Sequence, residues 1–113
     1  MHEMSLCEGM REILQQQATA QNYSVVKTVF LEIGKLSGVE PDAMRFAFPV
    51  VMRGSLAENA TLQIIEVAGQ AWCSQCQKNV PIQERYDGCP LCENPRLQIT
   101  DGEQMRIKEL EVV

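Results

Sequence analysis

The stretch WCSQCQKNVPIQERYDGCPLC constrains this chain more than any other. Cys73 and Cys76 form one C-x-x-C pair, and Cys89 and Cys92 form a second after twelve intervening residues. Two-residue spacing lets both sulfurs of a pair turn toward one point, with backbone N–H groups of the tight turn facing the thiolates. Gly88 and Pro90 flank Cys89 with the residue types that such turns favour. Two knuckles of this kind supply four soft sulfur ligands, a tetrahedral set that suits zinc. Iron is the competing metal for a four-thiolate site; two disulfides or a redox pair are the readings without one. Every position is filled by protein, so the predicted role is structural. Residues 70–98 carry few large apolar side chains, and zinc-binding energies of about 10–16 kcal/mol are expected to supply what so small a core does not.

The compartment bears on that choice. No basic segment followed by an apolar run marks the N-terminus as a signal peptide, and no stretch approaches the length of a membrane span. A cytoplasmic location is expected, where disulfides are uncommon and paired cysteines indicate metal or redox chemistry. The sequon Asn59-Ala60-Thr61 then carries no meaning. A formal charge of −5 over 113 residues lacks the basic footprint of a nucleic-acid binder and the Lys/Arg clusters that dock proteins on anionic membranes. Neither nucleic acid nor membrane is an expected partner. The length suits one small domain carrying a smaller insert.

Periodicity outlines the rest. Ser5-Leu6-Cys7-Glu8 has the form of a capping box, which predicts a helix from about Ser5, with Met1 to Met4 as an arm ahead of it. Leu6, Met10, Ile13 and Leu14 recur at helical spacing with Cys7 and Ala18 beside them, and Asn22 is the expected stop. Cys7, on that stripe, reads as a buried structural thiol. Val25 to Ile33 reads as a strand with Val25, Val29, Leu31 and Ile33 on one face and Lys27 as the exception. Gly34 to Gly38 is turn-rich. Pro41 suits the first position of a second helix, whose stripe is Met44, Ala47, Phe48 and Val51. Pro49 predicts a kink or an early end before Gly54, since an interior proline costs about 3 kcal/mol. Leu62–Val67 and Met105–Val112 are further β-rich runs, and an apolar phase shift between Ile107 and Leu110 predicts a bulge.

The chain's one histidine, His2, directly follows Met1. Bulky second residues protect the initiator from removal, so Met1 is expected to keep a free α-amine. That amine, the His2 backbone nitrogen and the His2 imidazole can close two adjacent chelate rings on one ion. The backbone nitrogen or carboxylate of Glu3 stands near enough to be a fourth ligand. Deprotonated amide nitrogen favours nickel(II) and copper(II), which gain from planar strong-field donors. Spacing alone leaves a solvated, idle histidine as the alternative.

The opening MHEMSLC, the segment LEIGKLSGVE at residues 31–40, the doubled C-x-x-C ending in CPLC and the terminal MRIKELEVV together resemble the HypA/HybF family of hydrogenase-maturation nickel chaperones. The resemblance runs over essentially the whole chain. It implies nickel ligation by His2 with the Met1 amine and Glu3 beside it, and zinc ligation by Cys73, Cys76, Cys89 and Cys92. It also sets a carboxylate near the nickel site at the position of Glu40, where a salt-bridged surface carboxylate is the other reading. The implied fold is α+β, two helices packed on a small three-stranded sheet, with an inserted zinc-ribbon-like module. The corresponding division is residues 1–69 plus 99–113 for the nickel-binding domain and 70–98 for the zinc-binding module. The implied activity is delivery of Ni(II), as cargo, to the precursor of a [NiFe]-hydrogenase large subunit, in company with a nickel-insertion GTPase. A homodimer is a partner class that the sequence leaves open.

An enzyme is not expected. There is no second histidine for a base–nucleophile pair, and Gly34-Lys35-Leu36-Ser37-Gly38 lacks the full phosphate-loop pattern, so no catalytic residue is assigned. The alternative to nickel delivery is a zinc-ribbon module that mediates protein contacts with an idle N-terminus.

Overall fold

The structure, a computed structural model, describes residues 3–113. It contains two helices and two three-stranded sheets. In the first sheet, β1 (Val26–Gly34) lies between β2 (Thr61–Val67), which runs parallel to it, and β6 (Met105–Val112), which runs antiparallel. Helices α1 (Glu3–Gln21) and α2 (Pro41–Val51) supply the other half of this core. Cys7, Met10 and Leu14 of α1 meet Met44, Ala47 and Phe48 of α2 and the inward residues Val26, Val29, Leu31 and Ile33 of β1. This is the α+β arrangement that the sequence implies.

Helix α1 starts earlier than the capping-box pattern predicts. It begins at Glu3, and Ser5 lies inside its first turn as an exposed residue. Met4 packs at the edge of the core, and that tertiary contact favours helical geometry ahead of the local cap. Ile13 departs from the expected stripe: it is exposed beside β6, while Leu14 takes the buried position. The helix stops as expected. Asn22 adopts φ +59, and the Tyr23 N–H reaches back to the Ala18 carbonyl at 3.3 Å, a left-handed termination of the Schellman kind.

The strand phase of β1 also needs correction. Val25 is 45% exposed and Val26 only 1%, the reverse of the predicted face. The β1–β6 register slips between Val26 and Thr28, leaving Lys27 as an extra residue; the bulge lets Val26 and Val29 both face inward. A second slip makes Lys108 the extra residue of β6, which brings Ile107 and Leu110 onto one face as the apolar phase shift predicts. In α2, Pro49 sits in the last turn and the helix ends at Val51. Its closing carbonyls find a partner elsewhere, since Arg11 of α1 donates to the Val51 oxygen at 2.8 Å.

The second sheet is absent from the sequence reading. Strands β3 (Gly69–Cys73), β4 (Lys78–Ile82) and β5 (Gln98–Asp101) form it in the order β4-β3-β5, all antiparallel. Its core is separate and small: Leu36, Ala71, Val80, Ile82 and the buried cysteines Cys73 and Cys89. Two cores make an elongated molecule of 52 × 25 × 17 Å, whose radius of gyration of 17.2 Å exceeds the roughly 13 Å of one compact domain of this length.

Three glycines make the crossing between the sheets. A Cβ on Gly34 would lie 2.0 Å from the Gly102 oxygen, and a Cβ on Gly102, which has φ +96, would lie 2.7 Å from the Gly69 Cα. These neighbours are backbone and cannot swing aside. The Leu36 N–H donates to the Gly102 carbonyl at 2.8 Å while its side chain fills the second core. Gly34→Ala is therefore expected to destabilise the protein by about 1–3 kcal/mol or more through overpacking, read as a lower denaturation midpoint; an unchanged midpoint would show that the crossing yields.

Burial raises the Cys7 thiol from 9.0 to about 11, and the Glu3 carboxylate adds to the effect. The core accepts the neutral thiol, so this contribution is complete below pH 9 and is withdrawn as pH climbs through about 11. Unfolding free energy should fall across that window, and Cys7→Ala should flatten that part of the profile whatever it costs at neutral pH.

Candidate metal centre

The four sequence-predicted cysteines converge. Cys73 ends β3, and Cys76 follows in the turn to β4, which closes through Gln77 at φ +53. Cys89 and Cys92 occupy the loop before β5, where Glu93 at φ +63 reverses the chain. Each knuckle turns a backbone N–H onto its leading sulfur: Cys76 N–H to Cys73 Sγ at 3.5 Å, and Leu91 N–H to Cys89 Sγ at 3.4 Å.

The knuckles face one another. Cys73 Sγ lies 3.5 Å from Cys92 Sγ, Cys76 Sγ lies 3.9 Å from Cys89 Sγ, and all four sulfurs fall within 4.8 Å of one another. A disulfide would need about 2.05 Å, so all four thiols are free. A tetrahedral ion with metal–sulfur bonds of about 2.3 Å separates its ligands by roughly 3.8 Å, and the cross-knuckle distances bracket that edge. The donor set thus fits a four-coordinate thiophilic ion, which would bring charge neutralisation and cross-linking of the two knuckles. Among the described residues this is the one cluster of three or more metal-ligating side chains. Cys73 and Cys89 are buried, Cys76 is half-buried and Cys92 is exposed.

Electrostatics point the same way. The backbone N–H of Cys76 holds the Cys73 thiol down at about 6, helped by the neighbouring thiols and Asn94 and opposed by burial. Cys76 rises to about 12, first because of its hydrogen bond with Cys92 and then through desolvation. For Cys92 the backbone bond from Asn94 pulls down, with Cys76, but burial and the bonds with Cys73 and Cys89 together outweigh them and raise the thiol. Once one sulfur ionises, its neighbours resist a second charge. Only a cation lets the set ionise together.

Comparison with known proteins follows the same line. The family model described as "Hydrogenase/urease nickel incorporation, metallochaperone, hypA" matches residues 1–112. The chain belongs to the HypA family. A protein named hydrogenase maturation factor HypA from Azotobacter chroococcum is 54% identical over 112 residues, covering 99% of each chain. The proteins of that name from Rhodopseudomonas palustris strain BisA53 and Azotobacter vinelandii are 53% and 51% identical, again over 99% of each. The solution structure of the Ni metallochaperone HypA from Helicobacter pylori shares the fold, with a TM-score of 0.73 at 24% identity over 100% of this chain and 98% of that one. A second solution structure of a HypA protein gives 0.73 at 25% identity, over 100% and 97%.

Of the nickel-site candidates, Met1 and His2 lie outside the described residues. Glu3 opens α1 as a half-buried residue whose carboxylate is felt four residues on by Cys7. Glu40 is exposed and stands in extended backbone just before α2, with no side-chain capping bond. The described ion pairs are Arg45–Asp42, Arg85–Glu103 and Arg106–Glu32, so Glu40 belongs to none of them. Asn94, which the sequence reading passed over, is buried with its amide against Cys73. An asparagine two residues after the last cysteine looks like any turn residue, and only burial distinguishes it.

With so few apolar side chains in the second core, a strong chelator is expected to disorder β3–β5 while α1 and α2 keep their helical signal. Amide exchange at Ala71 and Val80 reads the first effect and far-ultraviolet dichroism the second. Protection persisting after complete demetallation would defeat this expectation.

Proposed function

We propose that this chain is a nickel metallochaperone that takes Ni(II) at its N-terminus and delivers it to the large-subunit precursor of a [NiFe]-hydrogenase, acting in the cytoplasm with a companion nickel-insertion GTPase. Membership of the HypA family is the observation that carries the reading. The ligands proposed for nickel are the Met1 amine, the His2 amide and imidazole, and Glu3, with Glu40 as a carboxylate near the site. Those proposed for zinc are Cys73, Cys76, Cys89 and Cys92. The division of labour proposed is residues 1–69 plus 99–113 for nickel and residues 70–98 for a structural zinc ion. Gly69 and the end of β5, through Asp101, nevertheless pair within the second sheet across that boundary. No reaction is catalysed in this scheme, and any nucleotide hydrolysis belongs to the partner.

Helix geometry supports the nickel site. The first four N–H groups of an α-helix have no intrahelical acceptor, and α1 begins at Glu3. The Glu3 nitrogen can therefore lose its proton to a bound metal without breaking a helical hydrogen bond. The Glu3 carboxylate, in the first turn, offsets the positive end of the helix dipole that would otherwise repel a dication. Amine, amide and imidazole make a terminal site open to ligand exchange, as handover to an acceptor requires. Trp72, Tyr86 and Leu91 are exposed around the cysteine-bearing sheet and favour the competing reading, a protein-docking module without nickel transfer.

Nickel titration separates the two. His2→Ala is expected to weaken binding at least tenfold, about 1.4 kcal/mol, and one extra N-terminal residue should weaken it too by carrying the free amine out of the chelate. Affinity should also fall as pH drops through about 8 to 6.5, where protons claim the amine and the imidazole. Equal affinity in wild type, variant and extended protein would favour the docking module.

A further inference from the structure

Asn94 is the one buried polar residue among those described, 8% exposed. A buried primary amide carries two donors and an acceptor that need partners. Its Oδ1 accepts the Arg96 N–H at 3.1 Å, which turns the NH2 end toward the cysteines and leaves Nδ2 3.7 Å from Cys73 Sγ. Its backbone carbonyl accepts the Cys89 N–H at 2.9 Å, and the Glu93 N–H closes the same turn on the Cys89 carbonyl at 2.9 Å. One residue thus grips a sulfur of the first knuckle and the backbone of the second.

We propose that Asn94 is a positioning residue of the four-thiolate centre, holding Cys73 through its Nδ2–H···Sγ bond and Cys89 through its carbonyl, and that it thereby sets how firmly the metal is retained. The proposal rests on reading the four cysteines as a metal site. An N–H directed at a thiolate stabilises charge on sulfur and fixes the orientation of its lone pairs. Cys73 receives two such donors, from Asn94 and from the Cys76 backbone, and Cys89 receives one from Leu91. Losing the Asn94 donor frees the Cys73 side chain to rotate and leaves its sulfur more electron-rich and more basic, so that protons compete better with the metal for it. Partners of this kind typically govern metal affinity by about 10–100-fold.

The test uses the full chain as wild type, Asn94→Ala and Asn94→Asp, loaded with zinc or with cobalt(II) as a spectroscopic probe. Aspartate keeps the oxygen that accepts the Arg96 N–H and nearly the same volume, but presents an oxygen to Cys73 where the donor stood. Alanine removes both side-chain links, to Cys73 and to the Arg96 N–H, and keeps the backbone carbonyl that holds Cys89. Zinc transfer to a chromogenic chelator is expected to accelerate about tenfold or more in both variants, with Asn94→Asp at least as fast as Asn94→Ala. The sulfur-to-cobalt charge-transfer band should move to lower energy in both, a signature that loss of a packing contact would not produce. Wild-type transfer rates and band positions in Asn94→Asp would overturn the proposal, because the Arg96 turn rather than the bond to sulfur would then be what matters. Wild-type protein that took up neither metal would sink the metal reading itself, a failure visible before any variant is compared.

Discussion

Four sulfur atoms within 4.8 Å of one another form an arrangement that protein forces alone do not favour. As thiols they are weak hydrogen-bonding groups, and as thiolates they repel. The sheet that carries them has little else to bury: beyond the cysteines, the buried apolar side chains of this core are Leu36, from the turn after β1, and Ala71, Val80 and Ile82. A core of that size falls short of the chain entropy of ordering three strands and a long loop. A thiophilic cation resolves both difficulties, since it neutralises the sulfurs and joins two knuckles that are distant in sequence. The second sheet is thus arranged so that such a cation would complete its core.

The junction makes that sheet matter to the remainder of the molecule. A single residue, Ala68, separates β2 from β3, and three residues separate β5 from β6, so neither connection is a flexible linker. Gly34, Gly69 and Gly102 allow backbones to touch where side chains would hold them apart. Leu36 belongs to the β1–α2 turn yet fills the second core, and the Arg85–Glu103 pair ties the loop before Cys89 to the segment leading into β6. The end of β1, the central strand of the first sheet, thus lies directly against the segment that joins β5 to β6.

Helix α1 presents its open N–H groups from Glu3 onward while burying Cys7 one turn further on. The same helix is clamped to α2 by Arg11 on the Val51 carbonyl. Glu3, the first described residue, is thereby joined to a packed helix. The cysteine cluster differs in kind: its four sulfurs, two of them buried, form a donor set suited to holding an ion rather than exchanging it.

Local pattern was sufficient for much of this. The C-x-x-C spacing identified all four sulfurs that converge, Asn22 ended the first helix, the phase shift beside Leu110 marked the Lys108 bulge, and the leading motifs pointed to the family. These signals are legible because each arises from residues close together in the chain. Other features depended on partners distant in sequence. Helix α1 extends back to Glu3 because Met4 meets the core; the Lys27 bulge inverts the expected roles of Val25 and Val26 because β6 slips against β1; the second sheet forms because a few short, polar-rich runs gather around cysteines. The composition of Asn94 and the three junction glycines says nothing of their role, which comes from backbone approach and burial. What could be read from the chain alone was local chemistry, namely the four cysteine sulfurs that converge and the rough positions of the two helices and of the first sheet's strands. Tertiary structure alone decided the geometry, because close approach, register and burial are properties of pairs of segments that no single stretch of chain encodes.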